Sequence, residues 1–219
     1  MEYALWVFTF GYFFQVVATM ILILKISKQR SIFGLCWDTQ LILLLGSLSR
    51  CIWLNSTRLR NLPFAFLELG ANVLLLLISL YLCYIFRYTA VHKPYKYFRW
   101  YSIVGYCAVL AFCFHPGSKN EYYLSGQMLV SFTMFSECAG LIPQYLVMRK
   151  AKEIEGMTGK YIMCLGVARL LRLIFWIQMY LTQEMFLSLI LADLIHSLIL
   201  ADFSVVYFKN IKGGKLILP

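Results

Sequence analysis

The sequence is poor in charged residues. Only 14% of its 219 residues are Asp, Glu, Lys or Arg, and 61% are apolar, whereas a soluble domain has about a quarter charged and about half apolar residues. Too little polar surface is available to cover a soluble globule, which excludes a soluble enzyme and a disordered or fibrous chain. The apolar residues form long runs, and this pattern predicts an integral membrane protein.

The sequence also lacks the usual catalytic and metal-binding motifs. It contains no G-x-S-x-G or H-E-x-x-H motif and no C-x-x-C pair, and its three histidines do not cluster. The seven cysteines lie mostly within apolar runs, where we interpret them as small packing residues. We therefore expect no enzyme activity, no cofactor and no metal site.

Seven apolar runs are long enough to be membrane helices, since about 20 residues cross about 30 Å of hydrocarbon. They cover roughly residues 4–26, 39–55, 62–86, 98–115, 122–148, 160–182 and 184–208. The loops between them are too short to fold alone. The sequence therefore predicts a single transmembrane domain over residues 1–219, with a cytosolic tail at 209–219.

Positive residues predict the orientation, because Lys and Arg concentrate in cytosolic loops. With the N-terminus lumenal and the C-terminus cytosolic, fourteen basic residues fall on the cytosolic side and only Arg58, Arg60 and Lys119 on the lumenal side. The net charge of +10 is therefore mainly a signal of topology. It is divided among short loops, so we expect membrane lipid around the chain and no nucleic-acid partner.

The chain also carries an internal repeat at a shift of 122 residues. The aligned pairs are Lys28 with Lys150, Arg30 with Lys152, Ile32 with Ile154, Gly34 with Gly156, Arg50 with Arg172, and Gln15 with Glu137. Repeat one (about 4–86) and repeat two (about 122–208) then hold three helices each, joined by a linker helix at about 98–115. The predicted fold is an all-α membrane protein of two parallel three-helix repeats, in which the polar site lies between the halves.

Ionisable residues inside the apolar runs are the candidates for that site, because a charge at the centre of a membrane helix costs at least about 2.5–3.5 kcal/mol. Arg50 and Arg172 occupy related positions, Arg169 shares a helix face with Arg172, and Glu137 lies near the middle of its run. They predict a lumen-open cavity in which guanidinium groups bind an anionic ligand and Glu137 is an internal partner. In the alternative, Arg50 extends to the lumenal interface, and Glu137 and Arg169 form a structural pair.

Four further residues lie in or near these runs. Three of them allow two interpretations, and the fourth lies at the edge of the membrane. Trp176 is one turn beyond Arg172 and either lines the cavity or belongs to the interfacial aromatic belt. Asp193 and His196 are three residues apart and form either a pH-sensitive pair or a polar contact within the bundle. Glu68 is expected to be exposed at the lumenal interface.

Several segments resemble one family. They are Leu24-Lys25-Ile26 with Arg30-Ser31, Gly34 and Gln40; Glu137 with Pro143-Gln144; Leu165-Gly166-Val167 with Arg169 and Trp176-Ile177; Asp202-Phe203; and Lys212-Gly213-Gly214-Lys215-Leu216 with Leu218-Pro219. In these residues the chain resembles the ER lumen protein-retaining receptors, or KDEL receptors, nearly end to end, and the tail is the most specific element. The resemblance implies the seven-helix fold shared by PQ-loop and SWEET-like proteins.

The resemblance also implies a function for the pocket. The family binds the C-terminal tetrapeptide of escaped ER-resident proteins in the acidic Golgi and releases it in the neutral ER. By this resemblance Arg50, Arg169 and Trp176 are expected to bind such a peptide, and Glu137 to take part in proton sensing.

The resemblance further implies that Asp202, Lys212 and Lys215 serve return traffic. The two lysines would recruit the retrograde vesicle coat through the cytosolic tail. The expected location is therefore the membranes of the endoplasmic reticulum and the Golgi.

Within the pocket the chain departs from the family pattern. Two family arginines are replaced by Phe8 and Met179, and the histidine of the first span by Gln15. The two acids that would meet a basic first residue of the signal are replaced by Trp53 and Gln127. The other replacements are Cys51, Val130, Ala168 and Arg172, of which the last adds an arginine. We therefore expect a divergent receptor whose ligand keeps an anionic C-terminus, but which does not favour Lys or His four residues from that end.

Two other functions stay open at this point. A PQ-loop or SWEET-like transporter would move a small anionic solute across an endomembrane, with Arg50 and Arg172 binding the solute. A family member that has lost ligand binding would serve as a scaffold.

Overall fold

The computed structural model describes residues 2–55, 63–90, 96–115, 126–150, 153–181, 187–212 and 215–217. Within these ranges the chain forms seven α-helices, which agrees with the seven predicted runs to within four residues at each end. They are α1 (Glu2–Gln29), α2 (Trp37–Asn55), α3 (Pro63–Ile85), α4 (Trp100–Cys113), α5 (Gly126–Lys150), α6 (Gly156–Leu181) and α7 (Leu187–Asn210). Two short 3-10 helices, Arg87–Thr89 and Lys96–Phe98, lie between α3 and α4.

The described helices fit a multi-pass membrane protein. Three segments are long and apolar enough to cross a bilayer by length and composition, namely Trp6–Gln29, Phe66–Ile85 and Gly156–Gln178, and Trp100–Cys113 is a shorter apolar helix. Large apolar side chains such as Ile52, Leu67 and Leu181 are exposed on the outside of the bundle. An apolar exterior on a helical bundle is what contact with lipid requires.

The loop between α1 and α2 is fixed by backbone geometry and by one glutamine. Helix α1 ends where Arg30 takes a left-handed backbone conformation (φ 50°) and its N–H closes on the Ile26 carbonyl at 2.8 Å. Gln144 of α5 donates to the Gly34 carbonyl at 2.6 Å and accepts from the Cys36 N–H at 2.8 Å. Burial, with a smaller contribution from the nearby Asp38 carboxylate, raises the pKa of the Cys36 thiol to about 11.

The helices pack in a regular pattern. Helix α1 lies against α6 and α3, and α2 lies against α5 and α3. Helix α7 lies against α6 and α5, and α4 is attached to α5. The largest apolar cluster joins α1 to α5 and α6, and includes Leu22, Ile26, Leu141 and Leu165. The polar site lies nearer the start of α1, beyond that cluster.

A small antiparallel sheet, absent from the sequence-based prediction, joins the tail to the α5–α6 loop. Strand β3 (Lys215–Ile217) pairs with both β1 (Glu153–Glu155) and β2 (Ile211–Lys212). Three-residue strands carry too little periodic pattern to be recognised in a sequence. The all-α class still holds, since the sheet is confined to these short segments.

Candidate ligand-binding site

A buried cluster of two arginines and one glutamate lies between α5 and α6. Glu137 Oε2 accepts a hydrogen bond from Nη1 of Arg169 and another from Nη1 of Arg172, each at 2.6 Å. The Glu137, Arg169 and Arg172 side chains are 1%, 2% and 0% exposed. One carboxylate thus serves two guanidinium groups, and the three side chains keep a net positive charge.

Tyr12 of α1 connects this cluster to Arg50 of α2. The Tyr12 hydroxyl accepts a hydrogen bond from Arg172 Nη1 at 2.9 Å. The centre of its ring lies 4.7 Å from the guanidinium carbon of Arg172 and 3.0 Å from that of Arg50. The ring of Phe8, one turn earlier, lies 5.3 Å from the Arg50 guanidinium carbon. Arg50 and Arg172 therefore belong to one site and do not point to separate surfaces.

Trp176 lies beside this site and is buried, which does not fit an interfacial belt position. It packs with Met134 in an apolar cluster, and its ring meets Phe175 with centroids 5.1 Å apart. Phe175 in turn contacts Phe8 at 4.6 Å. Two aromatic rings thus connect Trp176 to the guanidinium group of Arg50.

Two more acids, one on α3 and one on α7, lie within electrostatic range of the arginines. Glu68 of α3 is partly buried and within electrostatic range of Arg50 and Arg172; the expectation of an exposed interfacial glutamate was wrong. Asp193 of α7 is 2% exposed and interacts electrostatically with Arg172 and Glu137. The charges of the site are therefore contributed by α2, α3, α5, α6 and α7.

Two glycines let the helices that carry the site approach closely. A Cβ at Gly11 of α1 would lie 3.0 Å from Arg172 Cγ and 3.1 Å from the Ala168 carbonyl oxygen. A Cβ at Gly46 of α2 would lie 2.5 Å from Ser136 Oγ, next to Glu137. Small residues at helix crossings permit such close packing, and both crossings place charged side chains in the interior.

The site keeps free hydrogen-bonding capacity. Among the described residues, Nε and Nη2 of Arg172, Nε of Arg169 and Oε1 of Gln15 are buried without a hydrogen-bond partner. In the same part of the chain, Arg50 forms no ion pair with a carboxylate; its contacts are the rings of Tyr12 and Phe8. Guanidinium N–H groups without acceptors are suited to a ligand carboxylate. Within the described residues, no group of three or more His, Cys, Asp or Glu side chains is placed to hold a metal ion.

The residues predicted for pH sensing and traffic lie elsewhere or beyond the described side chains. Asp202 of α7 is exposed and accepts a hydrogen bond from the Tyr145 hydroxyl at 2.5 Å. The side chains of His196, Lys212 and Lys215 lie outside the described ones. The backbones of the two lysines form part of β2 and β3.

Sequence reasoning missed Tyr12 altogether and noted Phe8 only as a replacement. Both are uncharged, so a search for intramembrane charges passes over them. The spacing of Phe8, Tyr12 and Gln15 places them on one face of α1, and that periodicity is the signal that would have identified them.

The fold and the site together describe a multi-pass helical membrane protein with a buried cationic site. A sequence model of the family "ER lumen protein retaining receptor" matches residues 31–179, which is more than half of the chain. The chain belongs to this family.

Curated relatives match over nearly the full length of both sequences. An ER lumen protein-retaining receptor of Entamoeba histolytica is 29% identical over 90% of this chain and 91% of its own length. One of Petunia hybrida is 27% identical, and one of Drosophila melanogaster is 29% identical, each over 94% of both chains. The family is named for receptors, which agrees with the expectation of a non-enzyme.

Proposed function

We propose that this chain is a receptor in the membranes of the endoplasmic reticulum and Golgi that binds C-terminal retrieval signals of ER-resident proteins. The relatives' common name, ER lumen protein-retaining receptor, supports this function. The ligand carboxylate binds at Arg50, beside Arg172, Arg169, Glu137 and Trp176.

The proposed architecture is seven membrane spans in two parallel repeats, and the helix packing supports it. Exchanging α1 with α5, α2 with α6, and α3 with α7 converts each major helix contact, within or between the halves, into another contact that the structure also contains. The α1–α6 contact becomes α5–α2, the α1–α3 contact becomes α5–α7, and the α2–α3 contact becomes α6–α7. Helix α4 stands outside this exchange, as a linker helix should.

Individual contacts support the same shift of 122 residues. Gly11 and Gly46 correspond to Thr133 and Ala168. Gly11 lies against the Ala168 carbonyl oxygen at the α1–α6 crossing. Thr133 Oγ1 donates to the Gly46 carbonyl at 3.0 Å at the α5–α2 crossing. Corresponding residues therefore meet at corresponding crossings of the two halves.

The proposed binding site rests on one observation, which is that the related arginines of the two halves have different partners. Arg172 has Glu137 as its carboxylate partner. The corresponding arginine is Arg50, and Gln15 occupies the position that corresponds to Glu137. Because an amide cannot neutralise a guanidinium charge, Arg50 retains the charge that a ligand carboxylate requires.

The signal preference of this receptor follows from the replaced acids. Trp53 and Gln127 offer no carboxylate to a basic residue four positions from the ligand's C-terminus. Glu68 lies within electrostatic range of Arg50 and Arg172, and Asp193 within range of Arg172, so we expect the arginines to offset the charge of these two acids. We expect a peptide with an apolar residue at that position to bind better than standard K-D-E-L in a peptide-array assay at acidic pH. Equal or better binding of K-D-E-L would refute this preference.

We assign any pH response of binding to Glu137, Asp193 and His196, because Gln15 does not titrate. Binding of the best peptide should then change between mildly acidic and neutral pH, measured on the same immobilised protein. Flat binding over this range would remove the switch.

For return traffic we propose that Asp202, Lys212 and Lys215 face the cytosol, with the N-terminus lumenal. Lys212 and Lys215 would then be available to the retrograde vesicle coat. Asp202 anchors α7 to α5 through the Tyr145 hydroxyl, next to the tail. Replacement of both lysines should trap the receptor in the Golgi without weakening peptide binding; an unchanged distribution would contradict this assignment.

Replacing Arg50 tests the receptor against the two other functions. In cells that depend on this chain, Arg50→Ala should cause secretion of a reporter that ends in a retained signal. Arg87→Ala is the matched control, since Arg87 is exposed and stacks on Tyr84 at 4.7 Å outside the site. Retention of the reporter together with lost anion flux would favour a transporter, and no effect on either would favour a scaffold.

Gln15→Glu gives an independent test of the same idea. This substitution adds the carboxylate that the second half already has, so it should neutralise Arg50 and weaken binding of the anionic C-terminus by about tenfold, if the added ion pair contributes about 1.4 kcal/mol. Unchanged affinity would show that the charge of Arg50 is not what the ligand recognises.

A further inference from the structure

Arg50 raises a physical question, because it is an intramembrane guanidinium without a carboxylate partner among the described residues. Its contacts there are with Tyr12 and Phe8 of α1, at 3.0 and 5.3 Å from ring centre to guanidinium carbon. The two rings meet edge to face, with centroids 4.8 Å apart and planes at 72°. We call these two side chains the aromatic corner.

The aromatic corner is itself held in place by α6. The Tyr12 hydroxyl accepts a hydrogen bond from Arg172 Nη1 at 2.9 Å. Phe8 packs on Phe175 with centroids 4.6 Å apart. Both rings therefore contact α6, the helix that also carries Arg169 and Arg172. The position of Arg50 depends on α6 through these two rings.

Stacking leaves the edges of the Arg50 guanidinium available. A ring attracts a cation through its face, whereas a carboxylate binds the guanidinium N–H groups in the plane of the fork. A ring on the face of Arg50 therefore does not compete with a carboxylate at its edge. The same ring is shared with Arg172, whose guanidinium carbon lies 4.7 Å from the ring centre.

We propose that the aromatic corner, Tyr12 above all, is the positioning element that orients Arg50 for the ligand's terminal carboxylate. It takes the place of the acidic partner that Arg172 has and Arg50 lacks. It orients the guanidinium without neutralising it, so that the charge stays available to the ligand. This inference rests on the proposed peptide-binding function and adds two positioning residues to it.

The test compares two peptides of identical sequence, one ending in a free carboxylate and the other in a carboxamide. Wild-type full-length protein in detergent should bind the acid more tightly than the amide. In Tyr12→Leu, affinity for the acid should fall by about tenfold, within the range of a buried cation–π contact, while affinity for the amide stays nearly unchanged. Tyr12→Phe keeps the ring and should retain most of the preference for the acid.

Controls separate positioning from a loss of structure. Phe13→Leu changes an exposed aromatic residue of the same helix and should leave both affinities unchanged. In an Arg50→Ala background, Tyr12→Leu should no longer alter the ratio of acid to amide affinity, because the group that it positions is gone. Thermal unfolding of each variant verifies that it is folded.

The outcomes distinguish this inference from the proposed function. Wild-type protein that binds neither peptide would overturn both. If wild-type protein prefers the acid, two results in Tyr12→Leu would overturn the positioning role alone. One is an unchanged preference for the acid, and the other is an equal loss of affinity for the acid and the amide. Collapse of the preference in Tyr12→Leu together with its retention in Tyr12→Phe would establish that role.

Discussion

Glu137→Gln should be among the most destabilising single substitutions in this protein. Oε2 of Glu137 accepts from both Arg169 and Arg172 at 2.6 Å, so removing the charge deprives two buried guanidinium groups of the carboxylate that both contact. Loss of one partner from a buried ion pair costs about 3–5 kcal/mol, and two guanidinium groups lose theirs here. We therefore expect a loss of at least about 3–5 kcal/mol in the free energy of unfolding.

The assay is thermal unfolding of purified protein in one detergent, with unfolding followed by tryptophan fluorescence. For a chain of this length each kcal/mol corresponds to about 2–4 °C in Tm, so Tm should fall by about 6–20 °C. Asp202→Asn is the matched control, because it neutralises an exposed carboxylate that accepts a hydrogen bond from Tyr145 and lies outside the buried cluster. Its Tm should be close to that of the wild type.

Because Glu137 Oε2 is shared by two arginines, the variants of these three residues should differ in stability in a defined order. Arg172→Met leaves Glu137 paired with Arg169, and Arg169→Met leaves it paired with Arg172, so in either variant the Glu137 carboxylate keeps a guanidinium partner. Each should therefore destabilise less than Glu137→Gln. The reasoning fails if either arginine variant unfolds at a lower temperature than Glu137→Gln, or if Glu137→Gln matches the Asp202→Asn control.

Two further predictions concern packing and reactivity. Gly46→Ala should lower the free energy of unfolding by about 1–3 kcal/mol, because its Cβ would lie 2.5 Å from Ser136 Oγ, and adding Ser136→Ala should restore Tm. Gly70→Ala is the control and should be neutral, because nothing lies near its Cβ. A neutral Gly46→Ala would contradict the close crossing. The pKa of the Cys36 thiol is raised to about 11, so at pH 8 only about 0.1% of this thiol is ionised. Since the thiolate is the reactive form, alkylation of Cys36 should be about a hundredfold slower than alkylation of an ordinary thiol. Mass spectrometry after maleimide treatment should find exposed Cys113 labelled and Cys36 labelled only after unfolding, and equal labelling in the folded state would disprove the burial.

The helices were predictable from the sequence for a simple physical reason. A membrane requires long apolar runs whose backbone is satisfied internally, and this requirement leaves a signal in every window of the chain. Arg50, Glu137, Arg169 and Arg172 were equally predictable as a cluster, since charges in such runs are costly and must meet. In the structure Glu137 contacts Arg169 and Arg172, and Arg50 lies against the Tyr12 ring that Arg172 also approaches; the ligand-binding role of the four residues stays a prediction.

The details that arrange the cluster were not predictable in the same way. Tyr12 is one of fifteen tyrosines; its spacing from Phe8 and Gln15 indicates a shared helix face, but not that two guanidinium groups lie near its ring. Glu68 was expected at an exposed interface because distance along the chain does not indicate which way α3 turns. The tail sheet is built from strands of two and three residues, and its β1–β3 pair joins segments more than fifty residues apart, so that pairing is decided by tertiary position and not by local pattern.

In the two-repeat architecture that we propose, one exchanged residue accounts for the different roles that we assign to Arg50 and Arg172. The close crossings at Gly11 and Gly46 are related by the shift of 122 residues, so Arg50 and Arg172 enter the interior in related ways. In the second half a glutamate neutralises the arginine within the fold. In the first half an amide stands at the related position, and Arg50 contacts the rings of Tyr12 and Phe8 of α1. We therefore propose that exchanging one acid for an amide separates an arginine that stabilises the fold from one that is free to recognise an anion.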